Sequence, residues 1–278
     1  MKSSINCKGQ LLHFDEPKIM GILNLTPDSF YDGGRYQSEK ALLKQTARML
    51  NEGAHIIDIG AYSSRPGADH ISVAEETARL IPAIKSILTS FPDALISVDT
   101  FRAEIAEKVI DAGAAMINDI SGGEMDNEMF ETIASLAVPY FLMHMKGTPQ
   151  DMQKNPSYEN LIPDMLDYFS EKVDRLQQLG VPDIIIDPGF GFGKTIAHNY
   201  EIVRRLNDFK ILGHPILAGI SRKSMIYKSL NIDPEESLNA TTALHVLCLQ
   251  NGASFLRVHD VKEAAEAIKI VTLAGNQP

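Results

Sequence analysis

Residues 184–194 read IIIDPGFGFGK, a run of three apolar residues that leads directly into an acidic residue and a glycine-rich turn. Consecutive apolar side chains are typical of a parallel β-strand that is covered on both faces. Short apolar blocks that end in polar residues recur along the chain, and each predicts a strand. The predicted strands are 19–25, 56–59, 95–99, 116–119, 140–143, 184–187, 215–218 and 255–258.

Helical patterns separate these strands. Ser72 followed by Glu75 predicts a capped helix start, and residues 102–112 predict a helix that ends at Gly113. Further helices are predicted over 158–179 and from Asp260 to about Leu273. Parallel strands joined by right-handed helical crossovers favour closure when there are eight of them. We therefore predict an α/β fold, a single-domain (βα)8 TIM barrel over residues 1–278.

An open, doubly wound sheet is the structural alternative. Its glycine fingerprint, GxGxxG after the first strand, is absent from this chain.

Composition narrows the class of function. The formal net charge of -10 disfavours a polyanionic partner, so no nucleic-acid binding is expected. Cys7 and Cys248 lie far apart without metal-ligand spacing. Neither a signal peptide nor an apolar run of about 20 residues is found. We expect a cytoplasmic protein with no membrane partner.

The strand ends carry the polar residues, and in a barrel these ends share the rim where active sites lie. Lys223 follows the seventh strand, and Arg257 and His259 end the eighth. The loops after these two strands are the usual phosphate site of this fold, and Arg and Lys suit phosphate oxygens. The pattern predicts an anion site, with surface salt bridges as the alternative.

A second group of polar residues is suited to a flat nitrogen heterocycle. Asp99, Asn118 and Asp187 end the third, fourth and sixth strands. Two carboxylates and an amide could satisfy the N–H groups of a ring such as a pterin, with Met143 as an apolar wall. An aspartate after a strand can also serve simply as a helix cap.

Two glycine-containing loops follow the first and second strands. They carry Asp32 in the first and Ser64, Arg65 and Pro66 in the second. Glycines permit such loops to close over a ligand, although ordinary surface loops share this composition.

Taken together, these motifs resemble the dihydropteroate synthase family. The matching segments are NLTPDS at 24–29, SSRPG at 63–67, IND at 117–119, DPGFGFGK at 187–194, SRK at 221–223 and RVHD at 257–260. They extend over nearly the whole chain in the order found in the family. The resemblance implies condensation of 6-hydroxymethyl-7,8-dihydropterin diphosphate with p-aminobenzoate, which gives 7,8-dihydropteroate and diphosphate in folate biosynthesis. It also implies Mg²⁺ as cofactor, a homodimer, and inhibition by sulfonamides.

The resemblance also assigns roles to residues. Catalytic roles fall to Asp99, Asp187, Lys223 and Arg257, and Asn24 is the implied Mg²⁺ ligand. The implied substrate-binding residues are Asn118, Met143, Gly219, Asp32, Ser64, Arg65, Pro66, Phe192, Ser224 and His259, of which Phe192 and Ser224 line the p-aminobenzoate pocket.

The second loop, two serines and four histidines need separate comment. Many family members have GESTRPG in the second loop, where this chain has AYSSRPG, so that Tyr62 replaces an acid and the anchoring of the loop is open. Ser221 and Ser224 lack an evident histidine partner in the sequence, so no acyl-enzyme is expected. His55, His144, His214 and His245 are expected to be structural.

Three other functions would share part of this pattern. A methyltetrahydrofolate–corrinoid methyltransferase would share the pterin acids but would have little use for diphosphate-binding cations. A non-catalytic pterin-binding paralogue would bind without turnover. A generic barrel phosphate lyase would need a Schiff-base lysine inside a strand, and none is seen.

Overall fold

The computed structural model describes residues 3–25, 35–62, 70–148, 152 and 156–275. Its main feature is a sheet of eight parallel strands, preceded by an antiparallel hairpin. The strands are β1 (Ser4–Cys7), β2 (Gln10–His13), β3 (Lys18–Asn24), β4 (Ile56–Gly60), β5 (Leu95–Asp99), β6 (Met116–Asp119), β7 (Tyr140–Met143), β8 (Ile184–Asp187), β9 (Leu217–Ala218) and β10 (Phe255–Val258).

The eight-stranded sheet closes on itself. Its order is β8-β7-β6-β5-β4-β3-β10-β9, and a parallel bridge between Ile186 and Ile216 joins the two outer strands. The predicted (βα)8 barrel is confirmed, and the open doubly wound sheet is excluded. The seventh barrel strand is shorter than predicted, because Pro215 has no N–H to donate and contributes only its carbonyl, which accepts from Ile186 N at 2.9 Å.

Helices surround the barrel in the described part of the chain. They are α1 (Arg35–Asn51), α2 (Val73–Ser90), α3 (Ala103–Asp111), α4 (Met129–Leu136), α5 (Leu161–Gln178), α6 (Ile196–Arg205), α7 (Ser224–Leu230), α8 (Leu238–Gln250) and α9 (Val261–Gly275). The Ser72 side chain caps α2 by accepting from Glu75 N, as predicted, and Pro82 lies within that helix. None of the described helices is long and apolar enough to cross a membrane.

The N-terminal hairpin, which was not predicted, packs against the barrel interior. Lys8 and Gly9 form its turn with φ values of 55° and 87°, the backbone of a tight two-residue hairpin. Ile5 and Cys7 join an apolar cluster with barrel residues that include Met20, Phe141 and Phe255. The Asn6 amide donates to Asp183 Oδ2 at 2.8 Å, next to the start of β8. The hairpin therefore covers the N-terminal end of the barrel and leaves the opposite end for a site.

We expect this cover to contribute measurably to stability. Ile5 is 1% exposed, whereas Leu11 on the partner strand is 56% exposed. Ile5→Ala should lower the free energy of unfolding by about 2–4 kcal/mol because it leaves a cavity in the core. Leu11→Ala should change it by less than about 0.5 kcal/mol. Urea unfolding of both variants tests this, and equal effects would mean that the hairpin is not packed as described.

Candidate active site

The strand register brings the predicted polar residues to one rim. Gly60 pairs with Asp99 and Asp99 with Asn118, so the ends of β4, β5 and β6 lie level. Met143 at the end of β7 likewise pairs with Asp187 at the end of β8. Because all eight strands are parallel, these ends form the C-terminal mouth of the barrel.

Arg257 links acids from two other strands across this mouth. Its Nε donates to Asp58 Oδ2 at 2.6 Å, and its Nη2 donates to Asp99 Oδ2 at 2.8 Å. Asn118 Nδ2 donates to the same Asp58 oxygen at 3.2 Å. Three of the predicted site residues are thereby joined in one hydrogen-bonded network.

Asp58, which holds this network together, was missed at the sequence level. It is fully buried in β4, and its second oxygen, Oδ1, has no hydrogen-bond partner among the described residues. The available signal was a charge inside an otherwise apolar strand, since an acid there is costly unless it is paired. Burial also raises the pKa of Asp99, and the charge of Arg257 opposes that rise.

Asp187, Gly219 and Lys223 lie beside this network. A Cβ atom on Gly219 would come within 3.8 Å of Asp187 Oδ2 and 3.9 Å of Arg257 Cβ, so Gly219 lies next to both side chains. Burial raises the pKa of Asp187, and the charge of Lys223 opposes the rise. Burial lowers the pKa of Lys223 to about 8, although Asp187 opposes this change. The four residues with predicted catalytic roles therefore share one electrostatic environment.

The glycine-rich loop after β8 packs closely against the Lys223 side chain. Lys223 Nζ donates to the carbonyl of Phe190 and lies 4.5 Å from the centroid of the Phe192 ring. Gly191 has a φ of 79°, and a Cβ there would come within 3.1 Å of Lys223 Cδ. Any other residue here would strain the backbone and displace the lysine chain by a few tenths of an ångström.

Lys194 stabilises the same loop through hydrogen bonds to backbone carbonyls. It is 3% exposed, and its Nζ donates to the carbonyls of Phe192, Gly189 and His144 at 2.9, 3.0 and 3.2 Å. Burial lowers its pKa well below the ordinary value. This lysine belongs to the quoted motif, but its work as a backbone anchor depends on contacts that the motif does not reveal.

Apolar residues and a cavity lie at the ends of the later barrel strands and in the loops that follow them. Met143 is buried in a cluster with Ile120, Met145 and Met152, against which Phe192 packs. Ser224, at the start of α7, lines a cavity of about 530 Å³ together with Lys194, Asn199, Met225 and others. The predicted wall and pocket residues are thus distributed over the loops after β7, β8 and β9.

The structure reveals a histidine partner for Ser221 that was not evident from the sequence. Ser221 Oγ lies 3.1 Å from His259 Nδ1, so Ser221 does have a histidine partner. The two residues are 38 positions apart and come together only because β9 and β10 are neighbours. Ser224 has no such contact with a described residue.

The second loop begins and ends in a side-chain cluster. Tyr62 OH lies 3.3 Å from His70 Nδ1, and Arg102 Nη2 lies 3.0 Å from the other nitrogen of that ring. Arg102 also pairs with Glu76, which is fully buried on α2. This network shows how the chain is anchored at Tyr62, which the sequence left open. It links the residues that flank 63–69 to the barrel.

Asp32, Ser64, Arg65 and Pro66 lie outside the described residues. Asn24 is described and is exposed at the end of β3, beside Gly60.

The four histidines that were expected to be structural lie in varied surroundings. His55 Nδ1 accepts from Ile19 N at 3.1 Å, and His144 Nδ1 lies 3.0 Å from Lys194 Nζ. His214 Nδ1 contacts the Ile184 carbonyl at 3.2 Å. His245 is buried, and neither of its ring nitrogens has a hydrogen-bond partner in the described part of the chain.

Fold and site together define a barrel enzyme whose C-terminal mouth combines paired acids with buried cations. Comparison with known proteins leads to the same class of enzyme. A profile of the pterin binding enzyme family matches residues 20–259. The dihydropteroate synthase of Escherichia coli is 42% identical over 95% of this chain and 94% of its own length, and that of Bacillus subtilis is 42% identical over 98% and 94%.

Solved structures give the same result. The Yersinia pestis dihydropteroate synthase in complex with a sulfonamide drug has a TM-score of 0.92 at 39% identity, covering 99% of this chain and all of that one. The Xanthomonas albilineans dihydropteroate synthase with 4-aminobenzoic acid has a TM-score of 0.92 at 36% identity over the whole of both chains. The chain therefore belongs to the dihydropteroate synthase family of pterin-binding enzymes.

Proposed function

We propose that this enzyme condenses 6-hydroxymethyl-7,8-dihydropterin diphosphate with p-aminobenzoate to form 7,8-dihydropteroate and diphosphate, as a transferase of folate biosynthesis. The observation that carries the proposal is the convergence of Asp99, Asp187, Lys223 and Arg257 at one barrel mouth. Acids and cations in a single protected site suit a substrate that is both a nitrogen heterocycle and a diphosphate. The 4-aminobenzoic acid in the Xanthomonas albilineans structure supports the second substrate.

In this proposal the pterin ring binds between Asp99, Asn118 and Asp187, with Lys223 and Gly219 beside it and Met143 as a wall. Arg257 packs against the ring while it remains paired with its acids. The bond between the pterin methylene carbon and the diphosphate oxygen breaks early, and its electron pair leaves with the diphosphate. The positive charge left on the pterin and its methylene is stabilised by the carboxylates of Asp99 and Asp187. Such preorganised charges are worth about 3–4 kcal/mol each.

The amine of p-aminobenzoate then forms the new C–N bond with the methylene carbon and loses one proton to water. Phe192 and Ser224 would line its pocket, and Asp32, Ser64, Arg65 and Pro66 would reach the substrates from the two loops. His259 and Arg257 would stabilise the departing diphosphate. No covalent enzyme intermediate is needed.

The residues present fit a Mg²⁺ ion that binds together with the diphosphate. The described residues contain no group of three or more His, Cys, Asp or Glu side chains that could hold a metal by themselves. Mg²⁺ usually keeps several waters and is bound by one or two protein oxygens plus substrate phosphates. Asn24, an exposed residue at the end of β3, would supply such an oxygen from its side-chain amide. When bound, the ion would neutralise part of the diphosphate charge.

The decisive experiment is to incubate the protein with dihydropterin diphosphate, p-aminobenzoate and Mg²⁺ and to measure dihydropteroate and diphosphate. Formation of both in equal amounts supports the proposal, and Lys223→Ala should reduce the rate about 10²-fold. Binding without turnover would instead indicate a non-catalytic paralogue. Methyl transfer without diphosphate release would indicate a methyltransferase.

The lowered pKa of Lys223 leads to a prediction about pH. Lys223 is cationic below about pH 8 and loses its charge above it. Since kcat/KM reports the free enzyme, its value for the pterin substrate should fall about tenfold per pH unit above that point. Lys223→Arg stays charged throughout, so its profile should lack this decline even if its overall rate is lower. Identical alkaline limbs in the two proteins would assign the decline to another group.

We further propose that the whole chain, residues 1–278, forms one domain and that the enzyme is a cytoplasmic homodimer. Leu247 on α8 and Ile270 and Leu273 on α9 are apolar and 45–63% exposed, and these helices pack on each other, which supports a contact between copies. Both cysteines are buried free thiols, which suits a reducing compartment. Analytical ultracentrifugation tests the oligomeric state.

A further inference from the structure

The contact between Ser221 and His259 has no assigned role in the proposed reaction. Ser221 is buried in the turn after β9, whereas His259, just past β10, is exposed. The serine Oγ accepts the backbone N–H of His259 at 3.2 Å and lies 3.1 Å from the Nδ1 of the same residue. A single hydroxyl therefore contacts both the backbone and the ring of one histidine.

The direction of the second hydrogen bond follows from the donors available. A hydroxyl has one proton to donate and can accept at its lone pairs, and the His259 amide already takes one of those. Ser221 Oγ has no other acceptor among the described residues, and the residue is only 4% exposed. If Nδ1 carried the ring proton, the serine proton would be buried without an acceptor, which is unfavourable. The serine therefore donates to Nδ1, and the proton of the neutral ring is on Nε2.

An ion pair next to this contact keeps it in place. Arg222 follows Ser221, Asp260 follows His259, and the two side chains form two hydrogen bonds, each of 2.8 Å. Arg222 also adopts a φ of 53°, and its amide donates to Thr241 Oγ1 on α8. The segments after β9 and β10 are thus joined at two consecutive positions, so the Ser221 hydroxyl cannot easily move away from the ring.

We propose that Ser221 is a positioning residue that holds neutral His259 with its proton on Nε2, so that the ring offers an N–H donor to the diphosphate group. The inference rests on the proposed function, because it requires a diphosphate at this rim. Nε2 makes no hydrogen bond to a described residue, and is thus available to a ligand. Partial desolvation of the ring by the surrounding protein and then the charge of Arg257 lower the pKa of His259, which favours the neutral ring.

The contact does not turn Ser221 into a nucleophile. Its oxygen is buried, one lone pair is taken by the His259 amide, and its proton is directed to Nδ1. With the ring oriented in this way, Nε2 of His259 donates to the ligand, and Ser221 keeps its hydrogen bond to Nδ1. The role assigned here is therefore orientation of a hydrogen-bond donor, with no covalent step.

The first test observes the tautomer in the free protein. Histidine side chains are labelled with ¹⁵N, and the His259 signals are assigned by their loss in His259→Asn. We expect Nδ1 of wild type to resonate as an unprotonated nitrogen and Nε2 as a protonated one. Ser221→Ala should give a mixture of tautomers, while Ser221→Thr, which keeps the hydroxyl, should restore the wild-type spectrum. A proton on Nδ1 in wild type, or an unchanged spectrum in Ser221→Ala, would overturn the proposal.

The second test measures binding of inorganic diphosphate with Mg²⁺ by calorimetry. Ser221→Ala should bind it about 10-fold more weakly, and Ser221→Thr within about 2-fold of wild type. Ser86→Ala is the matched control, since Ser86 donates to Glu39 at 2.6 Å on the surface and its loss should leave binding unchanged. Unweakened binding in a folded Ser221→Ala variant would overturn the proposal. If both tests succeed while wild type forms no dihydropteroate, the proposed function fails and the Ser221 contact stands.

Discussion

Asp187→Asn is expected to lower kcat/KM for the pterin substrate by about 10²–10³-fold while the protein stays folded. Asparagine has nearly the same shape and can still accept the hydrogen bond that Gly189 N donates to Asp187 Oδ1 at 2.7 Å. It removes only the negative charge beside Lys223 and Arg257, which is the charge proposed to stabilise the positive pterin. Steady-state kinetics with saturating p-aminobenzoate, together with a thermal melt, measure the two effects separately.

The matched control lies at the other end of the same strand. Asp183 immediately precedes β8 and is 2% exposed, and its Oδ2 accepts from Asn6 N in the N-terminal hairpin. Asp183→Asn should lower the melting temperature and leave kcat/KM close to the wild-type value. The difference follows from the barrel, in which the C-terminal end of a strand serves chemistry and the N-terminal end serves stability. Equal kinetic losses in both variants would contradict the assignment of Asp187.

Arg257→Ala is expected to damage both activity and stability. The change leaves Asp58, which is fully buried, and Asp99 without their cation. Removing one partner of a buried ion pair typically costs about 3–5 kcal/mol, because the remaining charge is left without compensation. Activity should fall by about 10³-fold, since the same side chain is proposed to contact both the ring and the diphosphate.

Two comparisons test the physical reason. Arg175→Ala breaks an exposed pair with Glu131 and should cost no more than about 1 kcal/mol. Adding Asp58→Asn to Arg257→Ala removes one stranded charge, so the double variant should be more stable than Arg257→Ala alone. Urea unfolding measures the free energy of unfolding of wild type, Arg257→Ala, Arg175→Ala and the double variant. A stability of Arg257→Ala within about 1 kcal/mol of wild type would mean that Asp58 is not buried as a charge.

Much of the fold could be predicted because it depends on local patterns. Seven of the eight barrel strands were predicted to within one residue at each end, since a buried parallel strand is apolar on successive residues. The N-terminal hairpin was missed because only Ile5 and Cys7 of its first strand are apolar and buried, and their partners are distant barrel residues such as Phe141 and Phe255. Short strands with so few local cues are defined by what they pack against.

The sequence by itself determined the barrel and the set of polar residues at its C-terminal ends, because strand period and residue type are local properties of the chain. Only the tertiary structure decided how those residues pair. Asp58 meets Arg257 across 199 positions, and Ser221 meets His259 across 38. Contacts of this kind depend on the register of neighbouring strands and on barrel closure. A change of register by one residue would turn each side chain to the other face of the sheet and separate these pairs.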